Sequence, residues 1–293
     1  MSAILKFLES NILYIIWFIV YFCIAWFIAW MIFSGDTLIS FVVVSVMYAF
    51  SITIALSPIG EELLRVLENC RLPATQAETD YLMPLFEEVY ENSKEINPGL
   101  NNGIQLYIMD AMYVNAFAIG RQTVAVTRGA IETFTPDELK GILAHELGHM
   151  TYGHTKALLL SLIGNIYFAA IVWVLRLLLN VINFISGAFA FTSVLGFVIA
   201  IFAFLIRLYI NLLLLIFVNL SEVILAINSR VNEIQADTFG FEAGYGRELI
   251  SGLYLLQKIS INTELDILEK AKATHPHIAY RIKNLEELEN RVT

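Results

Sequence analysis

The sequence predicts an α+β membrane protein: about four transmembrane helices plus a mainly helical domain with a small β-sheet. Three observations predict it. Hydrophobic residues make up 58% of the 293 positions and charged residues only 15%, too apolar a balance for an ordinary soluble chain. The apolar residues gather in long runs almost without charge. Between those runs lie two polar stretches, 58–156 and 221–293, whose patterning is helical with a few short β-prone segments.

The first apolar run, 12–33, contains no charge and is long enough to cross a hydrocarbon core of roughly 30 Å. It is too long for the apolar region of a signal peptide and reads as a retained span. A second run, 37–56, follows after Ser34-Gly35-Asp36, so residues 1–57 form a transmembrane hairpin. The third tract, 157–220, has Arg176 and Arg207 as its charges and suits two spans with a turn at 180–187. Each arginine then falls near a helix end, where it can snorkel to the headgroups. An even number of crossings places both polar stretches on one face. Lys6, Arg65, Arg71, Lys140, Lys156 and Arg230 lie on that face and the outer turns carry no Lys or Arg. The positive-inside rule therefore puts the polar domain and both termini in the cytoplasm of a multi-pass protein of the cell (inner) membrane.

The net charge of −9 argues against nucleic acid as a partner. Cys23 lies in the first span and Cys70 in the polar domain, too far apart to pair, as suits a reducing compartment.

Within the polar domain, 104–108, 113–118 and 123–127 are short β-prone runs separated by turn residues. Thr135-Pro136-Asp137-Glu138 then reads as a capping box opening a helix, with Leu139, Ile142, Leu143 and Leu147 as its apolar stripe. That helix carries His145-Glu146-Leu147-Gly148-His149. Residues at i and i+4 share a helical face, so His145 and His149 can aim two imidazoles at one metal ion. Glu146 sits where its carboxylate reaches a metal-held water. This is the spacing of a zinc hydrolase: two nitrogen ligands, an open position and a general base. Gly153 is a weak point before the next segment. His154 falls off the ligand face and is expected at the membrane surface.

Catalytic zinc needs a third protein ligand. Glu233 and Asp237, again i and i+4, follow directly on the second hairpin, which returns the chain to the histidine helix. One of the two can bind the metal while the other accepts a hydrogen bond from a ligand histidine.

The succession His145-Glu146-Leu147-Gly148-His149, a membrane hairpin, and Ser229-Arg230-x-x-Glu233-x-x-Ala236-Asp237 resembles the HtpX-like membrane zinc metallopeptidases, relatives of the CAAX prenyl proteases with a gluzincin type of site. Asn115-Ala116-Phe117 resembles the family's strand ahead of the catalytic helix. Thr274-His275-Pro276 with Arg281-Ile282 resembles its C-terminal pair of motifs. The resemblance implies a zincin-like domain split into 58–156 and 221–293 around the second hairpin. It further implies one Zn²⁺ per chain on His145, His149 and Glu233, with Asp237 orienting a ligand histidine. Asn115, Ala116 and Phe117 would form a sheet edge on which an extended substrate lies.

A mechanism follows from that arrangement. Glu146 takes the proton from the attacking water and passes it to the leaving amine. His275, with Arg281, stabilises the oxyanion. His149 lies about 12 Å along a helix, at about 1.5 Å per residue, from the third apolar tract, so the site hangs near the membrane surface. The expected function is a metalloendopeptidase of membrane or misfolded proteins in quality control. A narrow CAAX-type processing protease and a catalytically silent scaffold are the alternatives.

Overall fold

The computed structural model describes residues 10–163, 165–260 and 277–292. Helices α1 (Ile12–Ile32) and α2 (Thr37–Ala55) form the first hairpin. Its turn uses positive φ at Ser34 and Gly35, and the Asp36 side chain caps α2 by accepting from Ile39 N at 2.8 Å. Small residues let the helices approach: Ala25 and Ala29 pack on Val44 and Tyr48, while Trp26 Nε1 donates to Ser40 Oγ at 3.2 Å.

Helix α3 (Pro58–Leu67) leads to β1 (Cys70–Arg71) and α4 (Gln76–Ile96), itself opened by a Thr75/Glu78 capping box. Strands β2 (Gln105–Met109), β3 (Ala116–Ile119) and β4 (Thr123–Thr127) complete a sheet of order β1-β2-β4-β3. The β2–β4 pair is parallel and the other two are antiparallel, with Phe117 opposite Ala125. Strand β3 is therefore an edge of the sheet. The three β-prone runs become strands, except that 113–115 lies outside β3: Asn115 N bonds to Thr127 Oγ1 at 3.0 Å in the approach to it.

Helices α5 (Arg128–Thr133) and α6 (Pro136–Thr151) follow. Helix α6 starts at the capping box read from the sequence, with Thr135 N donating to Glu138 Oε2 at 2.9 Å. It is sheathed by α4, the sheet and α10 (Gly246–Ser260), on which α11 (Ile278–Val292) packs in turn, around a core that includes Phe86, Leu106, Val124, Leu139, Leu143, Phe239, Leu249 and Leu285. Gly153, at φ +74, ends the run, and α7 (His154–Leu162) sets off in a new direction.

The second hairpin is α8 (Ile166–Phe189) and α9 (Val194–Gly240). Its turn falls after Phe189, later than the 180–187 expected from the polar residues there. Those residues do not break the helix because it satisfies them itself: Asn183 Nδ2 donates to Leu179 O at 2.8 Å and Ser186 Oγ to Asn183 O at 3.2 Å. Ser193 instead caps α9 through Gly196 N. With these longer helices, Arg176 sits mid-way along α8 and Arg207 well inside α9, neither at a helix end. Helix α9 runs unbroken past residue 220 to Gly240, and the chain kinks at Gly244, at φ +91, before α10. Among the described residues four helical stretches are long and apolar enough to cross a membrane, and their exposed faces are largely apolar. Cys23 and Cys70 are both free.

Candidate active site

Helix α6 brings His145 and Glu146 into the interior, 4% and 8% exposed. A single close approach supplies the other half of the site. A Cβ on Gly148 would lie 2.9 Å from Ala236 Cα, so α6 and α9 cross with their backbones in contact. Only a residue without a side chain permits it, and the crossing carries Glu233 to the histidines.

Three side chains converge there. His145 Nε2 and His149 Nε2 are 3.1 Å apart; Glu233 Oε1 is 3.3 Å from the latter and Glu233 Oε2 is 3.5 Å from the former. A tetrahedral ion with ligand bonds of about 2.0–2.1 Å has ligands about 3.3–3.4 Å apart. Two imidazoles and one carboxylate at these separations fit such an ion.

Each of the two histidines is held at its outer nitrogen. His145 Nδ1 lies 2.9 Å from Asp237 Oδ1. Arg281, offered by the sequence as an oxyanion partner, is buried with its donors spent on carboxylates. Nε reaches Asp237 Oδ2 at 2.8 Å, one terminal nitrogen reaches Asp237 Oδ1 at 2.6 Å, and the other reaches Glu233 Oε2 at 2.9 Å. Burial and the Arg281 guanidinium disfavour a charge on His145, but its bonds to Asp237 and Glu233 outweigh them and raise its pKa to about 9.

His149 Nδ1 lies 2.9 Å from His154 Nδ1, and His154 Nε2 lies 3.0 Å from Gln235 Oε1. The structure thus corrects the placement of His154. It is buried, 5% exposed, and packed against His149 instead of standing on the surface of the protein. The left-handed Gly153 turns the chain so that a residue off the α6 face returns to His149, a reversal that helical spacing cannot show.

Two cavities flank Glu146 and Glu233. One, of about 270 Å³, is bordered by Phe117, Ala118, His149, Thr155, Ser229 and Tyr14 of α1. The other, of about 420 Å³, is bordered by Phe134, Ile142, His145, Leu253, Leu256 and Ile278. Asn115 and Ala116 border both, so the segment leading into β3 runs beside the larger cavity and β3 itself beside the smaller. Tyr14 was not singled out by sequence reading, because nothing local marks a tyrosine in a span as part of a cleft. His275 lies outside the described residues.

A buried His-His-Glu group able to hold a metal ion, beside helices long and apolar enough to cross a membrane, defines the class, and comparison with known proteins gives the family. The model for Peptidase family M48 matches residues 77–289, and the chain belongs to that family. It is 32% identical over 108 residues to "Protease HtpX homolog" of Thermoplasma acidophilum (35% of this chain, 32% of that one). It is 29% identical over 159 residues to "Protease HtpX" of Shewanella loihica (53% of each), and 27% identical over 207 residues to "Protease HtpX homolog" of Desulfotalea psychrophila (64% and 65%). The matched stretches thus span between a third and two thirds of these relatives. The crystal structure of S. mikatae Ste24p shares the fold at a TM-score of 0.50 and 17% identity, covering 90% of this chain and 61% of that one.

Proposed function

We propose that the chain is a membrane-embedded zinc metalloendopeptidase that hydrolyses peptide bonds of membrane or misfolded proteins at the cytoplasmic surface of the cell membrane. The observation that carries this reading is the convergence of His145 Nε2, His149 Nε2 and the Glu233 carboxylate within hydrogen-bonding reach of one another, with Glu146 on the same buried helix. Residues 58–156 and 221–293 act as two parts of one catalytic unit, with 1–57 and 157–220 as its membrane hairpins. The unbroken course of α9 through residue 220 supports a rigid connection between hairpin and site.

Zinc held by His145, His149 and Glu233 would supply Lewis acidity, acidifying a water and polarising the substrate carbonyl. Glu146 accepts the proton of the attacking water and delivers it to the departing amine. Asp237 and Arg281 are positioning residues that fix His145 and Glu233. His154 and Gln235 do the same for His149. The free edge of β3 offers main-chain donors and acceptors to an extended polypeptide, and Asn115, Ala116 and Phe117 line its path. His275 remains the proposed oxyanion stabiliser. Cavities on both sides of Glu146 suit a chain passing through a cleft, which favours an endopeptidase. The membrane helix residue Tyr14 in the cavity wall favours substrates that reach the site from the bilayer.

Glu146→Gln tests the chemistry. The amide cannot take a proton, so peptide hydrolysis by purified protein should fall roughly 10²–10⁴-fold with zinc content unchanged by metal analysis. Near-normal cleavage by a fully metallated Glu146→Gln protein would sink the assignment.

A further inference from the structure

Helix α3 is amphipathic in the reverse sense for a helix on a water-facing domain. Glu61 is buried, and its carboxylate accepts from Arg121 N and Gln122 N at 3.0 Å and from Thr123 Oγ1 at 2.6 Å. One turn on, Arg65 donates to the Tyr107 hydroxyl at 2.8 Å and to Thr123 Oγ1 at 3.2 Å, with its guanidinium over the Tyr107 ring. The polar side of α3 is therefore spent on β2 and on the turn joining β3 to β4. Its other side carries Ile59, Leu63 and Val66, a single stripe at i, i+4 and i+7. Ile59 is 67% and Val66 63% exposed.

The position of α3 says what covers that stripe. The helix begins three residues after the end of α2. A Cβ on Gly60 would meet the carbonyl oxygens of Ile54 and Ala55 at 2.6 Å, so α3 lies directly against the end of the span. Val46 and Phe50 of α2 are also exposed, and the apolar surface passes from α2 onto α3. Glu62 stands at the margin of the stripe, paired with Arg65. An apolar face continuous with a membrane span, edged by charge, is the layout of an interfacial helix.

We propose that α3 lies in the membrane interface with Ile59, Leu63 and Val66 in lipid, and that through Glu61 it sets β3 at a fixed height beside the bilayer. Its occupant is a lipid surface. The consequence for substrates rests on the protease reading above: the cleft would favour segments held at the membrane surface over free peptides.

The test uses the full chain, with Cys23→Ser and Cys70→Ser, in phosphatidylcholine–phosphatidylglycerol vesicles. Nitroxide labels are placed at Ile59→Cys, Val66→Cys and Glu68→Cys. The first two labels should relax with oxygen and be shielded from a water-soluble nickel chelate, and the third should show the opposite. A Val66 label as open to nickel as the Glu68 label would overturn the proposal. So would mutual broadening of labels on two copies, which would put protein rather than lipid on the stripe.

A second arm compares a lipid-anchored peptide with the same peptide in solution. Val66→Asp should lower cleavage of the anchored form about tenfold and leave the soluble form unchanged. Equal loss on both would refute the height-setting role. Wild-type protein that cleaved neither peptide would count against the protease reading alone, while the labels would still decide the place of α3.

Discussion

His145 and His149 stand one turn apart on α6 and turn their Nε2 atoms to the same point, yet their outer nitrogens are held by opposite chemistry. His145 is backed by a carboxylate, Asp237, which is itself gripped by Arg281. His149 is backed by a second imidazole, His154, which ends on the Gln235 amide. The second chain has one consistent order of protons. Gln235 Oε1 can only accept, so His154 carries its proton on Nε2 and presents a lone pair at Nδ1. His149 must then donate from Nδ1, which leaves its Nε2 free to bind a metal. Both devices select the same tautomer. The charged one also makes its histidine a more basic ligand, and it costs two buried ions that must stay paired.

The largest effect follows from that cost. Arg281→Met leaves Asp237 buried without its cation and should lower stability by about 3–5 kcal/mol, read by denaturant unfolding in detergent. A loss under about 1 kcal/mol would mean the guanidinium does not hold the site together.

Metal affinity separates the two sides next. Asp237→Ala should weaken binding roughly 10–100-fold, measured by competition with a chromophoric chelator. His154→Phe, which removes a neutral acceptor of similar shape, should fall at or below the bottom of that range. It should nonetheless shift the d–d absorption of the Co²⁺-substituted protein, since the His149 ring loses its anchor. An unchanged cobalt spectrum in His154→Phe would reduce that residue to packing, and equal affinity losses on the two sides would remove the contrast between them.

The smallest effect sharpens the comparison with an exposed counterpart. Arg71, Glu78, Asp110 and Arg128 form a second ion cluster, at the surface beside the segment leading to β3. Hydrogen bonds from Arg71 and Arg128 hold the Asp110 carboxyl down, from 3.8 to about 2. A depressed folded-state pKa means a contribution present above the unfolded value and lost as pH falls through the folded one. The cluster should therefore loosen between about pH 4 and pH 2, seen as faster amide exchange at 110–115. Asp110→Asn should abolish that pH dependence and change overall stability little, because the group is exposed and screened. Exchange at 110–115 that ignores pH in the unmodified protein would show the cluster to be incidental.

Several features were legible in the chain itself because they are local. The α6 cap is a four-residue exchange of hydrogen bonds. The pairing of His145 with His149, and of Glu233 with Asp237, is helical periodicity. The four apolar stretches are composition, and the strands 105–109 and 123–127 are runs of β-prone residues between turn formers. The resemblance to membrane metallopeptidases rested on the same motifs, and the match of the M48 model to residues 77–289 agrees with it.

Tertiary structure decided whatever depended on distant backbone. Spacing alone left open which of Glu233 and Asp237 faces the histidine pair, and only the family resemblance pointed to Glu233. The crossing of α6 and α9 at Gly148 and Ala236 sets it, placing Glu233 at the Nε2 atoms and Asp237 at Nδ1. His154 was discounted by helical spacing, and a left-handed glycine returned it to the site. The turn of the second hairpin moved past Phe189 because Asn183 and Ser186 found acceptors on their own helix. Periodicity reports which side of an element a residue is on. What that side meets is fixed by close approaches between segments far apart in the chain, and those belong to the folded structure alone.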